Sequence, residues 1–453
     1  MSDNRLTPLD ESFLAVESET AHMHVGWAAL FGPPRDRAAP SFEELREHIA
    51  GRLSHAPRYR QRLARVPLDV NAPVWIDDAG FDIDRHVLRS PSSDWDALVD
   101  RAMSSPLDRA RPLWEMWIAH GLDGGRIGVV GKAHHCMVDG LAAVELASLL
   151  LDPTPEAARP RHELWQPEPP PGGFKLLAIA LMDRAGQAVD VARLPFRLAA
   201  RPRQLLGLIG ASASTAKALV HSVEPATSDS ALNDPISPQR HLGRARRPLR
   251  DLKRVKRRFN ASINDVVLAA ATGGVRQLQQ RRGETPVPLK AMVPVSLRGD
   301  GVGALGNQIS FVFVDLPCDE PDPVRRLREV KMAMSKRKQA REPEGASAVL
   351  KAFGYAPRTV QQVVSHMVAS PRAFNLVVSN IPGPREALYM LGCELEEVYP
   401  VVPIADRHAV AIGVTTIKDD SFFGVYADPE TLPEADVLAA AIDQSIEELL
   451  ASS

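Results

Sequence analysis

The sequence predicts an α/β (α+β) protein built as two lobes, and three observations predict it. Strand-like and helix-like patterns alternate over residues 1–155 and again from about Ala231. At 453 residues the chain exceeds what one hydrophobic core of ordinary size organises. A proline-crowded stretch, 153–171, separates the two alternating regions. The expected division is an N-terminal lobe over 1–155, a crossing linker with an amphipathic helical segment over 156–230, and a C-terminal lobe over 231–453.

In the first region Met23 to Phe31 reads as a strand and Ser41 to Leu53 as an amphipathic helix capped by Ser41. Leu113 to His120 and Arg126 to His135 read as two strands joined by the turn Leu122-Asp123-Gly124-Gly125. Asp139-Gly140 ends the second of them, and Leu141 to Leu151 has helical composition. Pro169-Pro170-Pro171 favours an extended crossing segment. Phe174 to Val223, rich in Leu, Ala and Arg, reads as one or two amphipathic helices carrying Arg193, Arg197, Arg201 and Arg203.

In the second region Ile263 to Gln280 is helical, with Ser262 or Asn260 as its cap, and Leu289 to Leu297 and Gln308 to Leu316 are strands. Asp322-Pro323 supplies an N-cap and first-turn proline for a helix reaching about Lys338. Phe374 to Ser379 is a buried strand ending at the turn Asn380-Ile381-Pro382-Gly383-Pro384. Ala409 to Ile417 and Phe422 to Ala427 form a hairpin around Lys418-Asp419-Asp420, and Glu434 to Leu450 is a closing helix.

Composition narrows the class. Hydrophobic residues at 45% and charged residues at 24% suit a soluble globular chain, and a net charge of -2 offers no electrostatic case for nucleic acid. Cys136, Cys318 and Cys393 form neither a disulfide framework nor a CxxC pair, which points to a reducing compartment. Met1 to Arg5 leads into polar sequence rather than an apolar signal core. The longest candidate membrane run, Leu176 to Met182, falls far short of the roughly 20 residues that span a bilayer. A cytoplasmic protein with no transmembrane helix, not secreted, is expected.

The feature that carries chemistry is HHxxxDG, His134 to Gly140. Adjacent strand residues point to opposite faces, so only one of His134 and His135 reaches a given substrate. A neutral imidazole with a pKa near neutrality is suited to take a proton from a hydroxyl. Asp139 caps the following helix or pairs with a buried arginine, and Gly140 lets the backbone turn sharply. A buried histidine pair beside a capping aspartate is the bland alternative. A zinc site is disfavoured because the two imidazoles diverge and no third His or Cys stands at ligand spacing, so no metal is expected. Cys136 as a nucleophile needs a base from elsewhere in space; a small buried hydrophobe is the preferred reading.

HHxxxDG resembles the active-site motif of the superfamily of chloramphenicol acetyltransferase and the peptide-synthetase condensation domains. The remainder of the chain resembles, within it, the bacterial wax ester synthase/diacylglycerol acyltransferase family. The likeness runs through Leu6-Thr7-Pro8-Leu9-Asp10-Glu11-Ser12-Phe13-Leu14, Met23-His24-Val25-Gly26, Pro112-Leu113-Trp114 with Gly121-Leu122, and Leu232-Asn233. It continues through Ile263-Asn264-Asp265-Val266-Val267-Leu268-Ala269, Pro294-Val295-Ser296-Leu297-Arg298 and Ser379-Asn380-Ile381-Pro382-Gly383-Pro384. The resemblance implies two chloramphenicol-acetyltransferase-like lobes with an active-site channel between them. It implies transfer of a fatty acyl group from acyl-CoA, a co-substrate rather than a cofactor, to diacylglycerol or a long-chain alcohol. His135 maps onto the family's catalytic base, His134, Asp139 and Gly140 onto the rest of the motif, and Arg298 onto an arginine partner for Asp139.

Other residues carry two readings each. Asn264 and Asp265 cap a helix or support the site; Pro112 and Trp114 belong to the core or line a tunnel; Asn380 opens a rigid turn that shapes the channel. Ten basic residues against the single acid Asp251 between Arg240 and Arg258 form a solvated face or attract CoA phosphates and anionic headgroups. The arginines at 193–203 suggest peripheral contact with membranes or lipid droplets. Rival functions are a superfamily acyltransferase acting on a non-lipid hydroxyl or amine, and a non-catalytic lipid-droplet binding protein.

Overall fold

The computed structural model of the chain describes residues 4–137, 150–156, 165–183, 185, 226, 230–296, 309–339, 365–366 and 369–452. The expected Asp139–Arg298 pair, Gly140, most of the helix expected at 141–151 and the arginines at 193–203 lie outside the described residues.

Helix α1 (Pro8–Val16) starts where the Thr7 hydroxyl accepts from the Asp10 amide, with Pro8 in the first turn. Strand β1 (His24–Phe31) follows, then α2 (Phe42–Arg52), opened by a reciprocal capping box between Ser41 and Glu44. Short strands β2 (Gln61–Ala64), β3 (Val74–Asp77) and β4 (Val87–Arg89) lead to α3 (Trp95–Ser104). The hairpin of β5 (Trp114–Leu122) and β6 (Arg126–His134) turns at Gly124 and Gly125, whose φ angles of 75° and 72° explain the two glycines.

The second half supplies β7 (His241–Pro248), α4 (Leu249–Arg258), α5 (Ile263–Arg281), β8 (Leu289–Ser296), β9 (Ile309–Leu316) and α6 (Pro323–Gln339). It ends with β10 (Leu376–Ile381), β11 (Tyr389–Met390), β12 (Cys393–Val401), β13 (Val410–Ile417), β14 (Asp420–Ala427) and α7 (Ala435–Ala451). Ser262, not Asn260, caps α5, because Asp265 reciprocates its hydrogen bond.

One six-stranded sheet runs β11-β12-β1-β6-β5-β4 and another β7-β14-β13-β10-β8-β9, while β2 and β3 pair as a separate two-stranded sheet. Residues 231–453 therefore do not form a self-contained lobe. Strands β11 and β12 leave it and join the N-terminal sheet, β12 pairing antiparallel with β1 from Gly26↔Val401 to Phe31↔Leu395. Without β12, the apolar strand β1 would expose an unpaired backbone edge. A pairing between segments so far apart in sequence leaves no local signature, which is why contiguous boundaries failed there. On its return β12 crosses the second sheet at Gly413 and Gly424, a facing pair in β13 and β14. A Cβ at Gly424 would fall on the Pro400 carbonyl, so glycine permits this close approach between the lobes.

Candidate active site

His134 is the last residue of β6 and His135 the first of the turn after it. The His135 amide donates to the Met23 carbonyl at 2.9 Å, prolonging the pairing with the β1 side by one residue. The two rings diverge. The His135 ring lines a cavity and stacks on Phe13 of α1, with centroids 3.8 Å apart and planes 16° from parallel.

The His134 ring is buried behind the sheet, where its Nδ1 accepts the Cys136 amide at 3.1 Å. Burial, reinforced by the Arg109 charge, pushes its pKa down to about 3, so this ring is neutral. Around it lie buried His22, His24 and Lys132, the lysine ammonium donating to the carbonyls of Ala102 and Ser105 and pairing with Glu115 at 3.2 Å.

The cavity has a volume of about 440 Å³ and lies between the two sheets. Val25, Trp27 and Val398 line it from the first; Met292, Val377 and Thr415 line it from the second. Its wall is overwhelmingly apolar. Among the described lining residues the polar side chains are few: His135, Ser12, Ser365, Ser379, Asn380, Thr415 and the indole of Trp27. Of these, the Ser12 and Thr415 hydroxyls already donate to the carbonyls of Leu9 and Ile381. Such a space suits a hydrocarbon chain led to one imidazole.

Asn380 lines this cavity at the end of β10, with Pro382, Gly383 and Pro384 beside it. A Cβ at Gly383 would strike the Thr416 carbonyl, so the turn there is a packing necessity. The other expected channel residues lie elsewhere. Trp114 is core: it is 1% exposed, donates to the Tyr59 carbonyl at 2.7 Å and stacks on His86. Pro112 is buried at the entry to β5, its carbonyl accepting from the Trp114 amide, and is not among the lining residues. Asp265 spends its carboxylate on the Ser262 amide, and half-buried Asn264 beside it does not line the cavity either.

The basic run divides in two. Arg240 is buried, and Arg244, Arg246 and Arg247 pair with Asp96, Asp420 and Asp443, so its first half fastens the fold together. Arg250, Lys253, Arg254, Lys256, Arg257 and Arg258 on α4 are exposed. Cys136 is buried and its thiol pKa is pushed up by that burial, the opposite of what a nucleophile needs.

Sequence reasoning passed over the contribution of α1. Leu9, Phe13 and Val16 all line the cavity, and their i, i+4, i+7 spacing is an apolar helical stripe that was legible in the sequence. It also passed over Glu17, whose Oε2 lies 3.5 Å from His134 Nε2 and which pairs with Arg109. No spacing rule links residue 17 to residue 134.

Two six-stranded sheets with His135 lining the cavity between them share the fold of the peptide-synthetase condensation domains. The first condensation domain of the calcium-dependent antibiotic synthetase superposes with a TM-score of 0.60 at 14% identity, covering 98% of this chain and 96% of that one. That likeness speaks for the fold alone.

A wax ester synthase/diacylglycerol acyltransferase from Marinobacter aquaeolei VT8 superposes with a TM-score of 0.70 at 25% identity over 99% of both chains. A probable diacylglycerol O-acyltransferase of Mycobacterium tuberculosis is 32% identical over 466 aligned positions, 99% of this chain and 96% of the relative. The profile of the wax ester synthase/diacylglycerol acyltransferase catalytic domain matches residues 6–267, and that of the family's C-terminal domain matches 305–450. The chain belongs to the wax ester synthase/diacylglycerol acyltransferase family, and with it to the acyltransferases.

Proposed function

We propose that this chain moves a fatty acyl group from acyl-CoA to the hydroxyl of diacylglycerol or a long-chain alcohol, with His135 as general base in a ternary complex. The observation that carries this is the position of His135, the imidazole of an apolar cavity between the lobes. In the proposed step His135 takes the hydroxyl proton as the acceptor oxygen attacks the thioester carbonyl. The C–S bond then breaks, and His135 returns the proton to the departing CoA sulfur. No acyl-enzyme is required, which agrees with the buried, high-pKa thiol of Cys136. Of the two oxyanion donors that the motif suggests, a backbone amide near Gly140 is the one proposed, since Asn264 does not line the cavity. The names of the mycobacterial relatives favour diacylglycerol as acceptor.

The Asp139–Arg298 pair stays a proposal for a structural link that holds the histidine loop; breaking a buried pair of this kind costs about 3–5 kcal/mol. Peripheral contact with a membrane or lipid droplet draws support from the helical stretch 173–183. Its Phe174 is 87% exposed and its Leu181 and Met182 are exposed too, an apolar face turned outward. Flotation with anionic liposomes tests that contact.

The test of the chemistry is purified protein with acyl-CoA and each acceptor in turn, reading lipid products and released thiol. His135→Ala is expected to lose about 10²- to 10⁴-fold in turnover with little change in melting temperature. Near wild-type transfer by that variant would sink the assignment.

A further inference from the structure

Both histidines of the motif are held by the segment that carries α1, and the hold on His134 has a definite chemical sense. Because the Cys136 amide donates to His134 Nδ1 at 3.1 Å, that nitrogen carries no proton. The ring is neutral, since burial and the Arg109 charge keep its pKa at about 3, so its proton sits on Nε2. Nε2 is buried and has no hydrogen-bond partner among the described residues.

Beside it stands the Glu17 carboxylate, its Oε2 3.5 Å away, about half an ångström beyond a typical N–H···O bond. Arg109 pairs with the same carboxylate and balances its charge, so the anion does not draw a second proton onto the ring. The amide that leans on His134 belongs to the turn 135–137, and the Met137 amide donates to the His134 carbonyl in the same turn. Four residues before Glu17, Phe13 stacks on His135 itself.

We infer that Glu17 is a positioning residue. With its carboxylate turned toward the Nε2–H of His134, it holds by electrostatic attraction the ring on which the Cys136 amide rests, and so fixes the backbone that aims His135 into the cavity. Glu17 touches no substrate; it acts through His134. The inference rests on the reading of His135 as the base, and its test separates the two.

The first arm reads the resting protein without substrate. In ¹⁵N-labelled protein, long-range proton–nitrogen spectra are expected to give the Nε2–H tautomer for His134, with the Nε2 proton shifted in Glu17→Ala and largely restored in Glu17→Gln, which keeps an acceptor oxygen. An Nδ1–H tautomer, or a His134 signal indifferent to both substitutions, overturns the inference whether or not the protein transfers acyl groups.

The second arm is kinetic. Glu17→Ala is expected to lower kcat about 10- to 100-fold with KM for acyl-CoA within about twofold, the signature of a misaimed base rather than lost binding. Glu17→Gln is expected to recover most of that loss. Because Glu17 works through His134, the double variant Glu17→Ala/His134→Ala is expected to be no slower than His134→Ala alone. Multiplicative losses in the double variant, or a Glu17→Ala protein whose folded fraction turns over at the wild-type rate, overturn the assignment.

Discussion

His241 opens β7 and clasps the two lobes, which makes it a place where pH acts on this fold. Its Nδ1 lies 2.9 Å from Asp100 on α3, and its Nε2 lies 2.9 Å from Asp436 in the first turn of α7. Both nitrogens face carboxylates, so the ring is held as the imidazolium. The hydrogen bond to Asp100 is the largest influence; with Asp436 it outweighs burial and raises the pKa from 6.5 to about 9.

At 1.36 kcal/mol per pH unit, that rise caps the contribution at about 3 kcal/mol. Asp100 is 36% and Asp436 72% exposed, so solvent screening reduces the expected figure to about 1–2 kcal/mol. The sign follows from a folded pKa raised above the unfolded one. The stabilisation is full below pH 6.5 and is lost as pH rises through about 9.

His241→Gln removes the titration, and the assay is thermal unfolding of wild type and variant side by side from pH 6 to pH 10. The wild type is expected to melt about 1–3 °C higher at pH 6, with the gap closing by pH 10. A gap that is unchanged across the range, or that widens with pH, would falsify the clasp.

Two further outcomes follow from packing. Trp114→Ala is expected to destabilise by about 3–5 kcal/mol, because a fully buried indole leaves a cavity and the Tyr59 carbonyl loses the indole N–H; the folded protein should keep its chain-length preference, and a changed preference at unchanged stability would return Trp114 to the channel wall. Met292→Trp narrows the cavity between the sheets. Activity on acyl-CoA is expected to shift toward shorter chains with melting temperature nearly constant, and an unaltered chain-length profile would show that the acyl chain lies elsewhere.

Local chemistry was legible in the sequence. Ser41, Ser262 and Asp322 announced their helices because a cap is satisfied within three residues, and the Gly124-Gly125 turn announced the hairpin that ends in the histidines. The divergence of His134 and His135 followed from the two-residue repeat of a strand. The tertiary structure alone decided that β12 leaves its own lobe to pair with β1, and that Trp114 faces the core rather than the cavity. It alone brought Phe13 onto His135 and Glu17 beside His134. Caps, turns and strand alternation are set by neighbours within a few positions. The partner of a strand edge or a buried imidazole is chosen by whichever distant segment closes the unpaired backbone or answers the buried polar atom, and no local pattern records that choice.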